Sequence, residues 1–201
     1  MMKHTMEDDD TNKGEEIVEM LSERPLIGKK QLESRMVFLW GGVNDDTARY
    51  VIDRLLYLDA VKPGEEIKFF INSPGGYVTS GLAIYDTMRM LKSPVSTICM
   101  GLAASMGSIL LSGGTKGKRK IFPHGKVMIH QPSLGGFQGT ASDIEIQTNE
   151  IIKTRELSAK ILAENCGQKV EKVMKDFNRD YWMNAEESIE YGIVDEIQTA
   201  L

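Results

Sequence analysis

At 201 residues, with 41% apolar and 26% charged side chains, the chain is long enough for one domain with a genuine core. Its formal net charge of -5 argues against a general nucleic-acid binder, which carries a basic surface. No apolar stretch approaches the roughly 20 residues needed to cross a bilayer. Cys99 and Cys166 stand far apart and form neither a C-x-x-C redox pair nor a zinc-ligand set.

The opening "MMKHTMEDDDTNKGEE" is acidic and has no apolar h-region, so neither a secretory signal nor an Arg-rich transit peptide is expected, and a reducing cytoplasmic setting is. Residues 1 to about 16 read as a polar tail, and "EEIVEMLSERPLIG" predicts a short helix ahead of Pro25. "MVFLW", closed by Gly41-Gly42, is a buried strand. Asn44 then caps a helix whose apolar face carries Val51, Leu55 and Leu58. "EIKFFINS" is a second strand, stopped by Pro74-Gly75-Gly76, and "YVTSGLAIYDTMRMLKS" a helix with Leu82, Tyr85, Met88 and Leu91 on one face. "VSTICM" is a third strand and "AASMGSILLSG" a third helix. This alternation predicts parallel β-α units in an α/β layer architecture.

Beyond residue 114 the texture changes. "TKGKRKIF" and "KVMIH" predict two short strands around Pro123-His124-Gly125, with the basic run 116–120 expected on a solvated hairpin. "SLGGFQGT" is too rich in glycine to pack a core. "ASDIEIQTNEIIKTRELSAKILAENCG" is a long amphipathic helix ended by Gly167, and its length predicts that it leaves the body or meets a partner. "NAEESIEYGIVDEI" closes the chain as a helix and a strand.

Parallel α/β layers put ligands at the carboxyl ends of their strands, so two strand-to-helix junctions draw notice. In "NSPGG", residues 72–76, the glycines let backbone approach a ligand and present consecutive N–H groups, although a plain tight turn needs glycines too. In "AASMG" small residues flank Ser105, as in the G-x-S-x-G nucleophile elbow with Ala103 at the first small position. The Met106 N–H follows at a helix start, where an oxyanion would be favoured; taken alone, Ser105 also fits simple close packing. A serine needs a base. His4 lies in the tail, His124 in a turn, and His130 at the end of an apolar strand just before Gln131-Pro132. Asp176 and Asp180, in "VMKDFNRDYWMN", both suit the orienting carboxylate, and spacing does not choose between them.

Four stretches, "FFINSPGGYVTSGLAIYDTM", "STICMGLAASMGSILLSGGTKGKR", "VMIHQPSLGGFQGTASDIEI" and "EYGIVDEI", resemble the proteolytic subunits of the Clp protease, the ClpP family, from about Arg35 to the C-terminus. The resemblance implies a ClpP/crotonase-like α/β spiral of β-β-α units with a protruding handle helix at about 140–166. It implies a single peptidase domain over 35–201, preceded by a tail and axial-pore segment over 1–34. It further implies a serine endopeptidase with Ser105 as nucleophile, His130 as base and Asp180 as acid, and with the Gly76 and Met106 N–H groups as oxyanion donors. Subunits of that family form heptameric rings, two of which stack into a chamber. A AAA+ unfoldase of the ClpX, ClpA or ClpC kind feeds it unfolded polypeptide and consumes the ATP. No cofactor, metal, nucleic acid or membrane is implied for the chain itself.

The chain departs from the family pattern in places. The first 34 residues lack the usual opening that builds the axial loops, "HQPSLGG" has one residue more than the common form, and Asn178 stands where an acidic residue precedes the arginine. In the pocket that docks the unfoldase Phe70 fits, while Lys68 and Met90 replace rings. Two other readings share the fold: a ring subunit without catalysis, which would lose triad residues, and a crotonase-type acyl-CoA enzyme, which has no use for a serine–histidine pair.

Overall fold

A computed structural model describes residues 26–133, 135–136 and 138–200. The tail, His4 and the segment expected to form a helix ahead of Pro25 lie outside the described residues. The chain divides into two units, Met1–Met36 and Val37–Leu201. In the first, residues 26–33 form helix α1.

The sheet of the second unit runs in the order β1 (Met36–Trp40), β2 (Ile67–Ser73), β3 (Val95–Ala104), β4 (Arg119–Ile121) and β7 (Glu196–Ile197). β5 (Lys126–Ile129) pairs with β3, and β6 (Tyr181–Met183) with β5, for seven strands in all among the described residues. β2 with β3, β3 with β4 and β5, and β4 with β7 are parallel, as the alternation of strands and helices demands; β5 and β6 are antiparallel. β3 is buried along Val95–Cys99 and again at Ala103–Ala104, which is why it reads as a continuous apolar run.

The helices start where the sequence supplies caps. Asn44 closes a capping box with Thr47 at the head of α2 (Asp45–Val61), and Val51, Leu55 and Leu58 are buried as their spacing predicts. α3 (Val78–Met90) follows β2. Its buried face is Ser80, Gly81, Ile84, Tyr85 and Met88, so the expected stripe is displaced. Leu82 is only half-buried and Leu91 caps the helix end, because the stripe starts from Ser80 and Gly81, small residues that let the helix lie close. α4 (Met106–Ser112) is buried along its whole length. Its two hydroxyls satisfy themselves locally, Ser108 donating to the Ser105 carbonyl at 2.6 Å and Ser112 to that of Ile109 at 2.9 Å. α5 (Ala141–Cys166) opens on a Thr140–Asp143 box and ends at Gly167. Its side-chain hydrogen bond from Thr140 holds the Asp143 carboxyl below the usual range. Residues 141–150 are exposed apart from a half-buried Gln147, whereas the C-terminal part buries Ser158, Ala159, Ile161, Leu162, Ala163 and Cys166. The helix therefore leaves the body at its N-terminal end. α6 (Val170–Asp176) and β6 have no counterpart among the sequence expectations; α7 (Ala185–Tyr191) and β7 do.

Two expectations are overturned. β4 and β5 are not a hairpin: β4 pairs with Thr97–Cys99 and β5 with Leu102–Ala104, so the long β3 carries both on the same side, one after the other. The basic run is not a solvated face either. Arg119 is 1% exposed. Its Nε donates to Asp195 Oδ2 at 3.0 Å and one terminal nitrogen to Oδ1 at 2.5 Å, while the other reaches the Asn165 carbonyl at 2.8 Å. Burial works against ionisation of Asp195, but the bonds from Arg119 outweigh it and hold the carboxyl below its ordinary value. Lys118 pairs with Glu66 and Lys120 with Glu196. Elsewhere Phe70, assigned by resemblance to a docking pocket, is 4% exposed and stacked on Phe38 at 4.9 Å, whereas Met90 is 79% exposed.

Candidate active site

Ser105 stands between the last residue of β3 and the first of α4. The expected helix over "AASMG" thus begins only at Met106, with Ala103 and Ala104 in the strand. Turning from strand to helix within one residue forces Ser105 to φ +54°, a left-handed conformation that costs a non-glycine residue about 1–3 kcal/mol. The surroundings over-determine it. The Ser105 N–H donates to the Met128 carbonyl at 2.9 Å, and its own carbonyl accepts from the Ser108 and Ile109 N–H groups at 3.0 and 3.3 Å. Ala104 and Met106 on either side are 2% exposed, so the turn is locked into the core, while Ser105 itself is half-buried.

The "SPGG" turn packs directly on this elbow. Gly75 has φ +92°, and a Cβ there would lie 2.6 Å from Ser105 Cβ, 2.8 Å from the Ala104 oxygen and 2.9 Å from the Met106 nitrogen. Gly76 is as crowded on its other side, against the backbone of Val43. The turn is pinned by its neighbours: Val43 N–H donates to the Gly75 carbonyl, Tyr77 N–H to that of Val43, both at 2.8 Å, and Gly75 N–H to Ser73 Oγ at 3.1 Å. Those bonds leave two donors over. The N–H groups of Gly76 and Met106 reach no acceptor among the described residues.

His130 follows β5, which lies beside the end of β3. Its Nε2 is 3.0 Å from Ser105 Oγ and its Nδ1 is 3.1 Å from Asp180 Oδ1. The antiparallel register of β5 with β6, Val127↔Met183, Met128↔Trp182 and Ile129↔Tyr181, carries the two chains on to His130 and Asp180. Asp176 sits elsewhere, accepting from Lys172 Nζ at 2.8 Å and from the Tyr191 hydroxyl at 3.1 Å. Burial and the facing Asp176 charge push the Tyr191 phenol well above its usual range, so it stays protonated and donates to Asp176. His124 is exposed in its turn and touches none of these groups. Among the described residues no group of three or more His, Cys, Asp and Glu gathers as a metal site. Both cysteines are free and buried, each thiol pushed up to about 12 chiefly by burial, which leaves them inert as nucleophiles.

Residue types alone do not single out Ser73, Ser108 and Val43, which hold the two turns; all three act through bonds to or from backbone groups that no motif records. A hydroxyl, an imidazole and a carboxylate in hydrogen-bond sequence, on a strained elbow beside unspent backbone donors, are the layout of an α/β serine hydrolase. A family model described as Clp protease matches residues 23–200, nearly the whole chain. The chain belongs to the Clp protease family and has its ClpP/crotonase-like fold. No helix among the described residues is long and apolar enough to cross a membrane.

Proposed function

We propose that the chain is a serine endopeptidase whose nucleophile is Ser105, whose base is His130 and whose orienting acid is Asp180. The observation that carries this reading is the unbroken Ser105–His130–Asp180 hydrogen-bond sequence, at 3.0 and 3.1 Å. Ser105 Oγ attacks the peptide carbonyl carbon as its proton passes to His130 Nε2, and the carbonyl π electrons move to oxygen. Asp180 keeps the proton on Nδ1 before the attack and balances the imidazolium after it. The Gly76 and Met106 N–H groups receive the oxyanion, and loss of either such donor costs about 3–4 kcal/mol in comparable enzymes. The C–N bond then breaks as His130 returns the proton to the leaving amine. Water repeats the sequence on the acyl-enzyme.

Family membership supports the wider assembly: heptameric rings stacked in pairs, and a AAA+ unfoldase that spends the ATP and delivers unfolded polypeptide. The helix α5 suits such an assembly, since Ile144, Ile146, Ile152 and Leu157 are 43–59% exposed along it. Free buried cysteines agree with a reducing, cytoplasmic setting. A fluorophosphonate probe is expected to label Ser105 alone and to leave Ser105→Ala unlabelled. Casein is expected to be degraded only with an unfoldase and ATP, by a fourteen-subunit species in native mass measurement. Labelling at another residue overturns the nucleophile, and a protein that stays monomeric under all conditions overturns the chamber.

A further inference from the structure

The His130–Asp180 contact is held from one side only. Asp180 is 59% exposed and accepts no hydrogen bond other than that of His130 among the described residues. The strand that follows it, β6, has three residues and pairs with β5 alone, so it is an edge strand, of the kind that opens easily. The short β5–β6 ladder aligns Asp180 with His130 but, as a three-residue edge, restrains the carboxylate only weakly.

A second restraint comes from the residue after the histidine. Gln131 N–H donates to the Phe177 carbonyl at 2.6 Å. Its side-chain Nε2 donates to the backbone carbonyl of Asn178 at 2.8 Å and lies 3.2 Å from Asn178 Oδ1. One residue thus grips two successive peptides of the turn that ends at Asp180. Phe177, fully buried, anchors the start of that turn in the core. The side chain must bring N–H donors to two oxygen acceptors, which a primary amide does and a carboxylate of the same shape does not.

We propose that Gln131 is a positioning residue, holding the 177–180 turn so that Asp180 stays on His130 Nδ1. The proposal rests on the peptidase reading for its kinetic consequences, but the contact it governs is open to measurement without turnover. It is tested on the full chain with Gln131→Ala and the isosteric Gln131→Glu, by peptide hydrolysis and by the downfield Nδ1–H proton resonance of His130. Both variants are expected to lower kcat about 10- to 100-fold, the range of an ångström-scale misplacement, with KM within about twofold. Both are expected to lose the downfield resonance. In an Asp180→Asn background, Gln131→Ala is expected to cost nothing more, since the residue acts only through Asp180. A wild-type kcat with the resonance intact overturns the proposal, as does an undiminished loss in the Asp180→Asn background. Should Ser105→Ala hydrolyse peptide as fast as the parent, the peptidase reading falls instead. The resonance then decides on Gln131 alone: its loss in the Gln131 variants upholds the proposal and its persistence overturns it.

Discussion

Replacing Gly75 by alanine tests whether contact between the elbow and the "SPGG" turn matters to catalysis. The added Cβ lies 2.6 Å from Ser105 Cβ, against about 3.5–4.0 Å for an ordinary carbon contact, so the two turns must part by about 1 Å. Neither has an easy way to yield, because the colliding atoms are backbone or Cβ on both sides. Separation withdraws the Gly76 N–H from any oxyanion on Ser105, and both misplacement and loss of one donor predict a fall of about 10²–10³ in kcat. Stability falls too, since φ +92° costs an L-residue about 1–2 kcal/mol. That corresponds to about 2–8 °C in Tm for a chain of this size. Gly64→Ala separates the two effects: Gly64 has φ +86° but nothing within 4 Å of its Cβ position, so it takes the backbone strain without the collision. The assay is cleavage of a short fluorogenic peptide alongside thermal melts of both variants. A Gly75→Ala kcat within about fivefold of the parent, well short of the expected misplacement loss, would show that the two turns can part without cost to the oxyanion site.

Asp180→Asn is expected to cost about 10⁴ in kcat, the loss seen when a triad histidine takes the wrong tautomer. Asp176→Asn, at a carboxyl that accepts from Lys172 and Tyr191 rather than His130, is expected to leave peptide hydrolysis near the parent rate; equal losses would mean that the wrong carboxylate is in the triad. Arg119→Met strands Asp195 beside two lost carbonyl contacts and is expected to cost about 3 kcal/mol, at the low end for a broken buried pair because the Asp195 side chain keeps 18% exposure. Asp195 has a depressed folded-state value, so its contribution is present above the unfolded carboxyl range, near pH 4, and is lost as pH falls through the folded one. Arg119→Met is accordingly expected to move the acid-unfolding midpoint to higher pH, and an unchanged midpoint in a circular-dichroism titration would argue against the pair as a source of acid stability.

Much of the architecture is legible along the chain because its signals are local. A buried strand is a short apolar run, a helix start is Asn44 or Asn184 with its partner three residues on, and a helix end is Gly167. The same holds for the elbow, where crowding at a strand-to-helix turn admits only small neighbours for Ser105. Pairing is not local. Nothing near residues 116–129 says that β4 and β5 both lie along β3 rather than on each other, or that Arg119 alone of the basic run faces inward to Asp195, 76 positions away.

The carboxylate shows the same division. Asp176 and Asp180 are equivalent in type and neighbourhood, and residues alone cannot rank them. The β5–β6 register brings Asp180 to His130, while Asp176 goes to Lys172 and Tyr191. The sequence by itself determined the order of the elements other than α6 and β6, the small residues around Ser105 and the strand-end histidine, because each follows from the steric and apolar demands of a few adjacent residues. Local residue patterns left open which acid meets that histidine and which glycine meets that serine; the family resemblance named Asp180, and the tertiary contacts bring Asp180 to His130 and Gly75 against Ser105. Both are contacts between segments distant in the chain, set by strand register and by packing in the core.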